Sequence, residues 1–250
     1  MRVRAGRAAP TVSLTMEVGP VTNPLNASGD PRLPGRSVRR PSVDSATDAL
    51  LADLFIHATN CVRAFGDFHL AVSAGEEIEP ALMRLMYDPG FRDFPWTRTR
   101  LWMVDELDVP GDDPRRRGTR LVETIVACSG IPDAQFMPLT CLEGPGPYEA
   151  RLREHLEWRE RGQDRIDCCL FATRPAGDIE AFGSGEGVVL GERFIRSARL
   201  ISVLVSEPRG DGMALLERWA GCHRDRLVPL GGDLVWYLGD REDPGLPLAD

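Results

Sequence analysis

The chain has 250 residues, 42% of them hydrophobic and 27% charged, with a formal net charge of −8. That is enough apolar material for one large α/β domain or two small ones. The acidity argues against a nucleic-acid surface, which needs a basic face, and no apolar run approaches the roughly 20 residues of a membrane span.

Residues 1–42 are rich in Pro, Gly, Arg and Ser, show no hydrophobic period, and read as a disordered tail. The tail is basic: Arg2, Arg4, Arg7, Arg32, Arg36, Arg39 and Arg40 stand against Glu17 and Asp30. It has no continuous apolar stretch before a cleavage site, so no signal peptide is expected. Ser45 is a candidate cap for a helix running to Phe65, with apolar residues at helical spacing. Phe68 to Ser73 is a short apolar strand, followed by the turn AGEEIEP and a helix from Ala81. Leu101 to Val104 is a buried strand that stops at Asp105-Glu106 and a Pro/Gly/Asp loop. A helix over Arg120–Cys128 closes at Ser129-Gly130, and Tyr148 to Arg161 is an amphipathic helix. Ile166–Ala172 and Leu200–Val205 are continuous apolar runs of the kind that form central parallel strands. A helix over Asp211–Ala220 and a strand over Asp233–Leu238 complete the series. Strands alternating with helices predict an α/β domain over 43–240: a mostly parallel sheet with helices on both faces, then a C-terminal tail over 241–250.

All 30 basic residues are arginine. A catalytic lysine and Schiff-base chemistry are thereby excluded, and any phosphate falls to Arg, backbone N–H groups or hydroxyls. Cys61, Cys128, Cys141, Cys168, Cys169 and Cys222 form no CxxC pair. They read as free thiols in a reducing cytoplasm, with no metal site. His57, His69, His155 and His223 fall on a helix, a strand, a charged helix and a loop, and read as structural or surface residues. No HExxH, GxSxG or Walker pattern is present.

Four segments, in order, point to a family. They are FHLAVSAGEEIEPALMRLM, the run DELDVPGDDPRRRGT, CCLFATRPAGDIEAFGSG, and FIRSARLISVLV. Together with the ending VPLGGDLVWYLGD, they resemble the 6-phosphogluconolactonases across residues 44–240. These enzymes belong to the wider group of glucosamine/galactosamine-6-phosphate isomerase-like folds. The resemblance implies that fold, and hydrolysis of 6-phosphogluconolactone in the pentose phosphate pathway. It implies no metal or organic cofactor, a phosphorylated sugar lactone or sugar phosphate as ligand, and a cytoplasmic setting. It does not fix an oligomeric state.

The chemistry of the family motifs is altered. Leu107 stands where the family has Arg, and Glu76, Glu77 and Glu79 replace its Ser-Thr turn. Ser197 replaces an Asn, and the segment after Phe182 is shorter than the family's. Gly177 matches the family's glycine, which puts Asp178 where the family has its catalytic His. On this reading Asp178 is the base, Asp105 and Glu106 orient the substrate, and Ser73, Gly75, Gly177 and the Arg115, Arg116, Arg117 cluster hold the phosphate. A lone Asp ordinarily titrates near 3.9, far from the value that suits a base, although burial beside Glu180 would raise it. Turnover is therefore expected to be weak or absent. The alternative is a non-catalytic sugar-phosphate binder or protein-interaction member of the same fold.

Overall fold

The computed structural model describes residues 32–183, 187–205 and 211–239. In chain order the first elements are β1 (Arg36–Arg40), α1 (Val43–Phe65), β2 (Phe68–Val72), α2 (Glu79–Tyr87), β3 (Thr99–Met103) and β4 (Asp105–Glu106). A continuous helical stretch follows: α3 (Arg117–Leu121), a π-helical turn (Val122–Val126) and α4 (Ala127–Ser129). Then come β5 (Phe136–Met137), α5 (Pro145–Leu156), β6 (Cys168–Thr173), β7 (Val188–Val189) and α6 (Glu192–Ser197). The last are β8 (Leu200–Val205), α7 (Gly212–Cys222), α8 (Arg224–Leu227) and β9 (Asp233–Gly239).

Seven strands form one sheet in the order β1-β9-β8-β6-β2-β3-β5, and every neighbouring pair is parallel. β4 and β7 form a separate antiparallel pair. The central strands β2 and β8 are buried along their whole length, as strands covered on both faces must be. This is the expected parallel α/β architecture. Leu200–Val205 is a strand at the expected bounds, and the other expected strands differ only at their ends.

Helix α1 starts one residue after Ser42, which is its N-cap; the side chains of Ser42 and Ser45 each bond the other's backbone N–H. The expected cap, Ser45, is thus the third helical residue and the second half of a capping box. Leu50, Leu51, Leu54, Ala58 and Cys61 form its buried stripe. Helix α5 begins earlier than expected because Pro145 suits a first helical position, and it ends at Leu156, short of Arg161. The Tyr148 hydroxyl in α5 is fully enclosed; it accepts from the Met103 N–H at 2.7 Å and donates to the Met103 carbonyl at 2.9 Å.

The expected tail boundary moves. Residues 1–31 and 240–250 lie outside the described residues, but Arg36–Arg40 is a strand on the sheet edge, with Val38 opposite Tyr237. Its RSVRR sequence is mostly exposed, so it carries no apolar signal. Gly35 turns the chain into it at φ +88°, where a Cβ would lie 2.4 Å from the Leu234 carbonyl oxygen. Trp236 then donates to the Pro34 carbonyl at 2.6 Å.

At the amino ends of the strands a charged network is buried. Arg159 bridges Asp67 (2.6 Å) and Asp167 (2.9 Å), Arg199 reaches Asp167 at 3.0 Å, and Asp167 accepts the His69 backbone N–H at 2.8 Å. Both guanidinium groups lie over the Phe65 ring, at 4.8 and 4.4 Å. The His69 ring stands between two partners: its Nδ1 meets the Trp102 indole N–H at 3.1 Å and its Nε2 meets Asp67 at 3.1 Å. An indole can only donate, so Nδ1 accepts and the imidazole is the neutral Nε2–H form. All six cysteines are free thiols. Burial pushes Cys61 up to about 12 and raises Cys168 and Cys169 as well, which makes these three poor nucleophiles.

Candidate active site

The order of strands creates the cleft. From β2 the chain moves outward to β3 and β5, then returns to β6 on the other side of β2. The loops leaving the carboxyl ends of β2 and β6 therefore part from each other, and parallel sheets bind ligands in the crevice at such a switch point. Two adjoining hollows open there, of about 200 and about 180 Å³, sharing Leu107, Arg117 and Glu180 in their walls.

Arg117 is the centre of the site. It is the first residue of α3 and only 2% exposed, and its guanidinium is held between Asp105 and Glu180. Asp105 contacts Nη1 and Glu180 lies 2.6 Å from Nη2. Burial pulls the guanidinium below its ordinary value, while Glu180 and Glu77 push the other way. An arginine stays charged regardless. Asp105 is 4% exposed and lines one hollow, and its Oδ1 has no hydrogen-bond partner among the described residues.

Glu106 is equally buried, but its carboxylate is occupied. Oε1 accepts the Leu107 and Arg117 backbone N–H groups and Oε2 accepts that of Gly118, each at 2.9 Å. A carboxylate at the open amino end of α3 satisfies donors the helix leaves unpaired. Glu106 therefore fixes the entry to Arg117. The acidic turn is pinned from outside as well, because Asp105 and Glu106 pair with Val189 and Val188.

The three adjacent arginines do not act together. Arg115 bonds Asp113 in the loop, at 3.0 Å, and lines the outer hollow. Arg116 lies 3.9 Å from Glu106, and Arg117 points inward. Successive positions at a helix start do not share a face. Gly75 lines the outer hollow; Ser73 is buried one step behind it and donates its N–H to the Leu170 carbonyl at 3.0 Å.

Asp178 does not face either hollow. Its carboxylate is taken by Arg174, with Nε at 3.0 Å and a shorter contact to Nη2. Gly177, at φ +83°, presses this turn onto α7: a Cβ there would lie 2.7 Å from the Gly212 carbonyl oxygen. The turn therefore sends the expected base to Arg174 and gives Gly177 a packing role. None of the four histidines lines the two hollows either. His57 bonds the Asp167 carbonyl, His155 packs on Trp102, and His223 bonds the Trp219 carbonyl.

Residues that sequence reasoning did not single out complete the walls. Arg174 and Arg120 line the outer hollow, Arg226 the inner one, and Glu180 both. Arg120 is paired with Glu79. A signal was present for one of them: Arg174 directly follows the central strand β6 at its carboxyl end. Among the described residues no group of three metal-ligating side chains converges, and no helix is long and apolar enough to cross a membrane.

Residues 41–178, more than half of the chain, match the family described as glucosamine-6-phosphate isomerases/6-phosphogluconolactonase. The chain belongs to this family. The matched stretch contains the loops after β2 and β3 and the turn after β6, and so most of the cleft. The GDH/6PGL endoplasmic bifunctional protein of Homo sapiens is 37% identical over 238 residues, covering 79% of this chain and 29% of that protein. Its counterpart in Oryctolagus cuniculus is 26% identical over 230 residues, covering 78% and 28%. The chain thus spans less than a third of the length of these relatives. The fold is shared with a 6-phosphogluconolactonase from Thermotoga maritima, at TM-score 0.64 and 15% identity, over 82% of this chain and 100% of that one. It is also shared with a monomeric glucosamine-6-phosphate deaminase, at TM-score 0.56 and 12% identity, over 80% and 95%.

Proposed function

We propose that this family member hydrolyses a phosphorylated sugar lactone in the cleft between β2 and β6, with 6-phosphogluconolactone as the substrate. The observation that carries the reading is the buried Arg117 between two carboxylates at the switch point, ringed by Arg174, Arg120 and Arg115. A dianionic phosphate is matched by guanidinium groups, whose planar donors suit its oxygens. Arg174 and Arg120, with the backbone at Gly75, hold the phosphate. Asp105 and Glu106 orient the substrate at one remove, by holding and fixing Arg117. Water and side chains supply the chemistry, without a metal or organic cofactor. Free thiols support a reducing, cytoplasmic setting.

The test is hydrolysis of freshly prepared 6-phosphogluconolactone against a no-protein control, with calorimetric binding of the product, 6-phosphogluconate. Turnover above the control and product binding weakened about tenfold or more by Arg174→Ala are expected; loss of one charge-assisted contact is worth roughly that. Product binding without turnover would leave the non-catalytic binder. The absence of both binding and turnover would refute the proposal.

A further inference from the structure

We infer that Glu180 is the proton acceptor of this hydrolysis and that Asp178 is a positioning residue, which acts by holding Arg174. The inference rests on the lactonase reading above and adds to it the identity of the base.

The carboxylates around the cleft are not equivalent. Both oxygens of Glu106 are filled by backbone N–H groups. Asp178 is filled by Arg174 and faces neither hollow. Asp105 is enclosed against Arg117, Glu79 is paired with Arg120, and the Glu76 side chain is 80% exposed on the outer loop. Glu180 alone among these borders both hollows, with its side chain 34% exposed. Its Oε2 is anchored on Arg117 at 2.6 Å, whereas its Oε1 stands 4.0 Å from Arg174 Nη1, outside hydrogen-bond reach. One oxygen is thus fixed, and among the described residues no hydrogen bond fills the other, which leaves it for a water.

The turn that carries Glu180 is held firmly. It is a single 3-10 turn, Glu180–Phe182, and the Phe182 ring packs on Phe171 and Trp219 at centroid distances of 5.5 and 6.1 Å. The loop after β2 comes close: a Cβ at Gly75 would stand 3.8 Å from Glu180 Oε2. The phosphate-side loop and the base are therefore neighbours.

The step balances without another reactant. Glu180 takes a proton from water as the water oxygen bonds to the lactone carbonyl carbon. The carbon–oxygen bond to the ring oxygen then breaks, the electron pair leaves with that oxygen, and the proton passes from Glu180 to it. Water is consumed, a hydroxy acid is released, and nothing is oxidised or reduced.

The experiment compares the full chain with Glu180→Gln and Asp178→Asn. Lactone hydrolysis is followed beside calorimetric binding of 6-phosphogluconate. Glu180→Gln should lower kcat about 100-fold or more while product Kd stays within about threefold. Asp178→Asn should act mainly on KM and product Kd, because it loosens an anchor and leaves the base in place. Glu180→Ala should regain turnover when formate is added, which guards against a variant that merely folds poorly. Wild-type rates in Glu180→Gln would overturn the inference. So would an Asp178→Asn variant that loses kcat with unchanged KM, or a wild type that binds product yet turns lactone over no faster than the control. If the wild type neither binds nor turns over, the lactonase reading itself has failed.

Discussion

Arg117 shows how much depends on one residue. Its guanidinium is the counter-ion of a carboxylate that is 4% exposed. Arg117→Ala would leave Asp105 charged, buried and unpaired, a loss of about 3–5 kcal/mol in comparable cases. For a chain of this length that lowers the thermal midpoint by roughly 6–20 °C. Adding Asp105→Asn to Arg117→Ala should recover part of that loss, because the stranded charge is gone. Calorimetry on the single and double variants reads this directly; an Arg117→Ala protein that melts like wild type would show that Asp105 is not charged.

His69 makes a second prediction at the same scale. Burial lowers its titration below the ordinary 6.5, against the pull of Asp67, and protonating Nδ1 would set two donors, its own and that of Trp102, against each other. Asp167, Arg159 and His155 complete its surroundings. The unfolded chain takes up this proton near pH 6.5 and the folded chain only at lower pH. Its contribution to stability is therefore full above 6.5 and declines as pH falls. The thermal midpoint should drop from pH 7.5 to 5.5, and His69→Gln should flatten part of that slope. His155, also lowered by burial, keeps the remainder. An unchanged slope in His69→Gln would mean that His69 takes up its proton alike in the folded and unfolded chains.

Among the elements, central strands were legible and edges were not. β8 runs as its apolar letters predict, because a strand covered on both faces has to be apolar throughout. β1 and the two-residue β5 lie at the rims of the sheet, where one side meets water and the letters say little. The site divides in the same way. Asp105, Gly75 and Arg117 face the cleft from loops that sequence motifs could place. Asp178 turns to Arg174 and lines neither hollow, which a motif does not reveal because it gives a position along the chain and not the direction of a side chain. Two residues further on, Glu180 faces where Asp178 was expected to face. β1 also carries a prediction. A chain beginning at residue 42 loses the strand that pairs with β9, and should melt at least about 5 °C below one beginning at residue 32. Equal midpoints would mean that β1 contributes nothing to stability. Gly35→Ala in the longer chain should move its midpoint in the same direction, since it forces a Cβ onto Leu234.

Over the whole molecule, the sheet separates stability from chemistry. The Arg159, Asp67, Asp167 and Arg199 network closes the amino ends of the strands, while the carboxyl ends open into the cleft. Burial alone would raise the Asp67 carboxyl, but hydrogen bonds from His69 and Arg159 outweigh it and hold the group at about 2. Its contribution is present above the ordinary 3.8 and is lost as pH falls through about 2. Asp67→Asn should therefore lower the midpoint at pH 7 and leave it much less changed near pH 2. A variant equally destabilised at both values would show that Asp67 acts through its shape and not its charge.

The pairing of β1 with β9 has a consequence for synthesis. Among the described residues β1 bonds no strand but β9, and the Trp236 to Pro34 bond joins residues 202 apart. A ribosome releases β1 long before β9. Until β9 emerges, residues 36–40 lack this partner, and contacts this distant in sequence close slowly. The arginines of RSVRR keep that waiting strand soluble and unattractive to other open edges. A nascent chain stalled before Asp233 should be cut by trypsin at Arg36 or Arg39, and one released past Gly239 should be protected there.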